Sequence, residues 1–351
     1  MTKLIIQIPC YNEEQTLAIA LASLPRSLPG IDCVEWLIID DGSCDRTVEV
    51  ARTCGVDHIV RHPRNLGLAR AFMTGLETAL KAGADIIVNT DADNQYEAAD
   101  IPKLLDPILQ HRAELVIGAR PIADTEHFSP MKKLLQTFGS WVVRQASATE
   151  VDDAPSGFRA ISRVAATRLI VFNRYTYTLE TIIQAGRQGM AVASVPIRTN
   201  EDLRPSRLVK SIRSYVQRSL QTILRISVIY SPGRFFAGLA IIAGLAGAIF
   251  MGRFGWFFLQ GSEDSHVPSV AIGLAGLGAA LLLGIVGVLS DLLAINRKLL
   301  EDVRRRLIEL SLDGIPAPQM YDARQPTAIP QPADTITREA NKQMPCNPVQ
   351  P

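Results

Sequence analysis

Three short polar groups hold the residues with the strongest chemical potential in this chain. Asp91-Ala92-Asp93-Asn94-Gln95 contains the only D-x-D in 351 residues. In an extended segment, side chains at i and i+2 point the same way, so two carboxylates converge. Two hard oxygens suit Mg²⁺ or Mn²⁺, which completes its shell with water and substrate phosphates. A metal there neutralises charge on a nucleoside diphosphate leaving group. A lone D-x-D reads equally well as a turn that uses Asp for capping. Its companions favour the chemical reading. Asp40-Asp41-Gly42-Ser43 offers a carboxylate, Asp40, to a base N–H or a ribose hydroxyl, or else a turn and a helix cap. In Pro9-Cys10-Tyr11-Asn12-Glu13, Tyr11 lines a nucleoside pocket or joins the core, and Glu13 reads equally well as an early-helix acid favoured by the dipole. His58, His62 and His127 lack metal spacing and are expected on loops or the surface. Glu180 is either a sugar contact or a structural ion pair.

All three groups follow short, nearly continuous apolar runs. Residues 3–9, 36–40, 86–91 and 115–119 read as strands buried on both faces of a parallel sheet. Residues 14–23, 45–53, 68–82, 100–110 and 178–188 carry helical periodicity. Alternating strand and helix predicts a doubly wound, Rossmann-like α/β domain, which gathers its strand ends into one ligand crevice.

The remaining chain is of another kind. Lys+Arg 36 against Asp+Glu 35 gives a net charge of +1, which excludes a protein built to coat nucleic acid. Mean hydropathy is +0.14, high for a soluble protein, and the excess is local. Residues 237–252 and 267–290 are uncharged and long enough to span a bilayer as a hairpin. Half of the 24 glycines lie between Gly233 and Gly287, which suits close helix packing in lipid. Seven Arg or Lys between Arg204 and Arg234 precede the first span and five between Arg297 and Arg306 follow the second, while the linking loop holds Glu263 and Asp264. That asymmetry predicts both termini and the α/β domain in the cytoplasm, at the inner or cell membrane. The N-terminal apolar stretch is too short for a signal peptide. Residues 208–229 read as a basic interfacial helix. The tail after 313 holds 8 of 21 prolines and is expected to be disordered. The expected organisation is 1–206 catalytic, 207–231 juxtamembrane, 232–296 transmembrane hairpin, 297–312 basic helix and 313–351 tail. Two packed spans per chain permit homo-oligomers.

The ordered set Pro9-Cys10-Tyr11-Asn12-Glu13, Asp40-Asp41-Gly42-Ser43, Arg64-Asn65-x-Gly67, Asp91-Ala92-Asp93-Asn94-Gln95, Gly118-Ala119-Arg120 and Ser156-Gly157-Phe158-Arg159 resembles family 2 glycosyltransferases of the GT-A fold. Within that family the chain is similar to the dolichyl-phosphate mannose synthase and bacterial polyprenyl-phosphate glycosyltransferase branch, over about residues 3 to 230. The resemblance implies metal-dependent, inverting transfer of a hexose from a UDP- or GDP-sugar to polyprenyl (undecaprenyl or dolichyl) phosphate on the cytoplasmic leaflet. It implies nucleotide-sugar contacts from Pro9, Tyr11, Glu13, Asp40, Asp91, Gln95 and Arg120, and a metal on Asp91, Asp93 and Gln95. It implies catalytic parts for Asp93 and Asp153, with Arg159, Arg204, Ser206 and Arg207 facing the acceptor phosphate. Asn94 stands where the family more often has Leu, and Pro205 where relatives are often acidic. Arg204, Arg207 and Lys210 could also serve as attraction to anionic headgroups.

Two other readings are open. A processive polysaccharide synthase of the superfamily should carry Gln-x-x-Arg-Trp, and none of Trp36, Trp141 and Trp256 follows that motif. A non-catalytic membrane scaffold should have lost Asp91 or Asp93, and both are present.

Overall fold

The computed structural model describes residues 1–121, 143–144, 147, 149–171, 177–200, 228, 232–260 and 267–313. The expected site residues Arg204, Ser206 and Arg207, His127, all but one residue of the expected interfacial helix, and the tail from 314 lie outside that set. The chain divides into two compact units, one holding Met1–Ser206 and the other Arg207–Asp313.

The first unit is built on a seven-stranded sheet, in the order β3-β2-β1-β4-β6-β5-β7. The strands are β1 (Lys3–Cys10), β2 (Cys33–Asp40), β3 (His58–Arg61), β4 (Ile86–Asn89), β5 (Leu115–Ala119), β6 (Arg159–Ser162) and β7 (Val192–Pro196). The central strands are the apolar runs of the sequence. β1 is buried from Leu4 through Cys10, and all of β4 is buried. Helices α1 (Leu17–Ser23), α2 (Thr47–Thr53), α3 (Leu68–Lys81), α4 (Ile101–Leu109), α5 (Arg163–Arg168) and α6 (Thr178–Arg187) complete the α/β unit. α3 buries Ala69, Phe72, Leu76 and Leu80, the i, i+3, i+7 and i+11 stripe of an amphipathic helix.

The sheet departs from the all-parallel expectation at one strand. β6 runs antiparallel between β4 and β5, pairing Asn89 and Ile117 with Arg159. An antiparallel strand begins where its parallel neighbours end. The loop entering β6, residues 153–158, is therefore delivered to the carboxyl edge of the sheet, beside the ends of β4 and β5.

The second unit contains α7 (Pro232–Leu259) and α8 (Val267–Asp313). Pro232–Leu259 and Val267–Arg297 are both long and apolar enough to cross a bilayer. The expected basic helix is not a separate element, because α8 runs unbroken from Val267 to Asp313. Glycines set the approach of the two helices. A Cβ on Gly247 would lie 2.8 Å from the Leu277 nitrogen and 2.9 Å from the Gly273 carbonyl oxygen, and one on Gly276 would lie 2.9 Å from the Gly247 Cα. Backbones this close leave no room for a side chain, as small-residue packing in lipid requires. Asp291 accepts a hydrogen bond from the Gly233 N–H at 2.9 Å, which satisfies an orphan donor in the first turn of α7. Gly247→Leu should force the hairpin apart and lower the apparent melting temperature in detergent. Gly252→Leu, at a position with nothing within 4 Å, should leave it close to wild type.

Candidate active site

Three strand-end loops are laced together at the carboxyl edge of the sheet. β1 and β2 end in register, Cys10 beside Asp40. Beyond them, the Asn12 N–H donates to Ser43 Oγ at 2.9 Å and Asn12 Oδ1 accepts from the Cys44 N–H at 2.9 Å. The Glu13 N–H donates to Thr47 Oγ1 at 2.8 Å. Asn12 adopts a left-handed φ of 54°, which Asn tolerates better than most residues. Gly42 has φ +75°, and a Cβ there would lie 2.5 Å from the Arg64 carbonyl carbon. Only glycine lets the Asp40–Ser43 and Arg64–Gly67 loops meet. Gly42→Ala should cost about 1–2 kcal/mol from the left-handed conformation alone, before the clash is relieved. Thermal melting measures it.

The residues expected around a nucleoside occupy this edge, and most are already engaged. Pro9 is buried, Tyr11 is 37% exposed at the rim, and Glu13 Oε2 accepts from Thr16 Oγ1 at 2.7 Å. Asp40 is fully buried, accepting from the Ser43 N–H at 3.0 Å and facing Arg61 Nε at 3.0 Å. Arg61 is more than half exposed and covers this carboxylate. Asp41 organises the neighbouring loop by accepting from the Leu66 N–H at 2.9 Å, the Gly67 N–H at 2.8 Å and His62 Nδ1 at 2.7 Å. His62 is thus buried rather than on the surface, with Thr74 Oγ1 3.0 Å from its Nε2.

The D-x-D follows β4. Asp91 and Asp93 are half-buried and close enough to act on one another. Burial, then the Asp93 charge, pushes the Asp91 carboxyl up to about 7. Burial, then the charges of Glu13, Asp40, Asp45 and Asp91, raises the Cys10 thiol well above its ordinary range. The field at this edge is negative, and a cation would relieve it. Among the described residues no three His, Cys, Asp or Glu side chains gather as a ligand set. Two carboxylates without a third suit a Mg²⁺ or Mn²⁺ ion whose other ligands are phosphate, water or an amide. Gln95 is adjacent, its N–H donating to Asp93 Oδ1 at 3.2 Å. Asn200 fastens the turn, its N–H donating to the Gln95 carbonyl at 2.9 Å and its Nδ2 to the Asn94 carbonyl at 3.0 Å.

The far side of the edge holds Arg120 and Asp153, which the sequence reading gave separate parts. They form one pair. Asp153 is fully buried and accepts from Arg120 Nε at 2.6 Å and Nη2 at 3.0 Å, a two-pronged grip. Arg159 is also fully buried. Its Nε donates to the Ser156 carbonyl at 2.8 Å, its Nη2 to the Ala154 carbonyl at 2.9 Å, and its Nη1 to Thr181 Oγ1. Here its guanidinium braces the 153–158 loop from within, so contact with an acceptor phosphate requires that loop to open. Glu180 is buried on α6. Sequence reasoning passed over Tyr96, whose phenol accepts from the Gly157 N–H at 2.9 Å and favours the charged form of the Asp91 carboxylate beside it. It also passed over Tyr177, which stacks on Phe72 with centroids 3.9 Å apart and accepts from Asn89 Nδ2 at 2.8 Å. The one available signal was Tyr96's place directly after Gln95.

Residues 5–169 match the family model described as glycosyl transferase family 2. The chain is 30% identical over 214 residues to a UDP-N-acetylglucosamine–dolichyl-phosphate N-acetylglucosaminyltransferase of Methanococcus voltae, covering 55% of this chain and 83% of that one. It is 28% identical over 200 residues to an undecaprenyl-phosphate mannosyltransferase of Micrococcus luteus, covering 54% of this chain and 80% of that one. A crystal structure of glucosyl-3-phosphoglycerate synthase from Mycobacterium tuberculosis shares the fold, with a TM-score of 0.50 at 20% identity over 65% of this chain and 79% of that one. A mixed sheet with a carboxylate pair at its carboxyl edge, matched to these relatives over most of their length, places the chain in glycosyl transferase family 2, as a glycosyltransferase.

Proposed function

We propose that this enzyme transfers a hexose from a nucleotide sugar to a polyprenyl phosphate at the cytoplasmic face of a membrane, with inversion and with a divalent metal. The observation that carries the reading is the presence on one chain of a strand-end carboxylate site and two bilayer-length helices, in a family whose relatives above act on dolichyl and undecaprenyl phosphate. A lipid acceptor explains why a transferase needs an anchor.

Asp91, Asp93 and Gln95 would hold Mg²⁺ or Mn²⁺. Bound there, the ion supplies charge neutralisation for the departing diphosphate. Tyr11 and Glu13 face the nucleoside beside Pro9 at the end of β1, and Asp40 reaches it where Arg61 is displaced. Arg120, gripped by Asp153 and attracting the Asp91 charge, adds a cation beside the phosphates. The lipid phosphate oxygen attacks the anomeric carbon in line, the bond to the diphosphate breaks, and the configuration inverts. A phosphate monoester with a second pKa of about 6 is already anionic near neutral pH, so no strong base is needed. Asp153 then serves to orient the acceptor side through Arg120 and to take a residual proton. Arg204, Ser206 and Arg207 receive the acceptor phosphate, and Arg159 joins them when the 153–158 loop opens. Positive charge flanking the two spans puts the domain and both termini in the cytoplasm.

Membranes holding the enzyme, incubated with a panel of radiolabelled UDP- and GDP-sugars and polyprenyl phosphate, with and without Mn²⁺, test the reading. Metal-dependent label in the lipid fraction is expected from at least one donor. Failure to label lipid with any donor overturns it.

A further inference from the structure

The two sides of the site meet at one phenol. Tyr96 is 4% exposed, so its hydroxyl must find partners inside the protein. Its hydroxyl lies beside the Asp91 carboxylate of the D-x-D loop, whose charged form it favours, and its oxygen accepts from the Gly157 N–H at 2.9 Å, on the loop that carries Asp153. Its ring stacks on Phe158 of that second loop, centroids 5.1 Å apart and planes 9° from parallel. The loops touch directly at the same point, since a Cβ on Gly157 would lie 3.1 Å from Asp91 Oδ2 and 3.2 Å from Oδ1. Nearby, Asn200 Nδ2 donates to the Tyr96 carbonyl at 3.3 Å, and Tyr96 forms an antiparallel bridge with Thr199. The backbone of Tyr96 is thereby held as well as its ring.

We propose that Tyr96 is a positioning residue that ties the Asp91 carboxylate to the 153–159 loop, so that the metal-diphosphate side and the acceptor side are held at one spacing. The proposal rests on the reading of Asp91 as a metal ligand and of the 153–159 loop as acceptor-facing. Its physical logic is that of any group behind a ligand. A carboxylate steadied from behind by a polar neighbour presents its lone pairs in a fixed direction, and removing that neighbour loosens it. Here the neighbour is shared, so removing it should be felt at both substrates. A residue that only filled the core would be felt at neither.

Tyr96→Phe in the full-length enzyme is the test, because it keeps the ring on Phe158 and removes only the hydroxyl. Three measurements accompany it: Mn²⁺ affinity in the presence of UDP or GDP by electron paramagnetic resonance, KM for polyprenyl phosphate, and melting temperature. Mn²⁺ affinity should weaken by about tenfold or more and the acceptor KM should rise with it, while the protein stays folded at the assay temperature. Mn²⁺ affinity and acceptor KM both at wild-type values, with only the melting temperature lowered, would reduce Tyr96 to a core residue and overturn the proposal. A change in Mn²⁺ affinity with an unaltered acceptor KM would overturn the tie between the two sides. If wild-type enzyme neither binds Mn²⁺ with a nucleotide nor labels lipid, the functional reading itself falls. Normal wild-type behaviour beside an unchanged Tyr96→Phe variant removes the inference alone.

Discussion

Asp91→Asn is expected to stop sugar transfer and, in metal-free buffer, to make the protein harder to melt. The two effects have one cause. Burial and the neighbouring Asp93 raise the Asp91 carboxyl to about 7, so the folded protein binds a proton that the unfolded chain releases near the ordinary carboxylate pKa of about 4. Between those values the native state holds more protons than the unfolded state, and stability falls as pH rises. At neutral pH the ionised pair is a cost that the fold bears, and an amide of the same shape removes it. The melting temperature of Asp91→Asn should rise by about 2–4 °C near pH 8, the shift expected for about 1 kcal/mol in a domain of this size, solvent screening at a half-buried carboxylate reducing the full effect. The gain should vanish near pH 4, where the wild-type carboxyl is neutral too. Turnover should fall by about a hundredfold or more, the usual loss when one group stabilising transition-state charge is removed. Mn²⁺ should raise the melting temperature of the wild type and not of the variant. A variant that melts lower at pH 8 and keeps its activity would place Asp91 outside the site.

Asp153 should separate structure from chemistry when alanine and asparagine are compared. Its carboxylate is fully buried and held by both prongs of Arg120. Asp153→Ala leaves that guanidinium without its partner, and breaking one side of a buried pair costs about 3–5 kcal/mol. Calorimetry should therefore show a large drop in melting temperature. Removing Arg120 as well should restore part of it, since the uncompensated charge has gone. Asp153→Asn keeps the shape and one acceptor oxygen and should fold. Its turnover then reports on the mechanism directly. A fall of about tenfold or more, with the KM for the nucleotide sugar unchanged, is the expected result for a group acting on the acceptor side. Unchanged turnover would leave Asp153 as the anchor of Arg120 and nothing more.

The parts of this fold that the sequence announces are those whose burial is complete and continuous. β1, β2, β4 and β5 are apolar runs because both faces of the sheet cover them. β3 and β7 lie at the two edges, and their short half-buried segments HIVR and VASVP carry no such run. β6 was hidden for a different reason. It opens on Arg159, a residue type almost never fully buried, whose burial is made acceptable by carbonyls and a hydroxyl from neighbouring loops. The site was legible at the same level. The D-x-D, the Asp40–Ser43 group and Tyr11 advertise themselves by residue type at strand ends. The Arg120–Asp153 pair spans 33 residues and the Tyr96–Gly157 bond 61, separations at which no spacing rule operates. His62 looked like a loop residue because only the tertiary structure supplies Asp41 and Thr74 on either side of its ring.

α8 has a mechanical consequence. Its 47 residues form a rod about 70 Å long, with the last 16, beyond Arg297, extending it by about 24 Å. An unbroken ladder of backbone hydrogen bonds makes the apolar segment and the basic segment a single rod. A bilayer thinner than the apolar length is accommodated by tilting, and a tilt of about 10° swings the distal end by about 4 Å. In a bilayer spanned by the apolar part of such a rod, lipid thickness would become displacement of the arginines at 304–306.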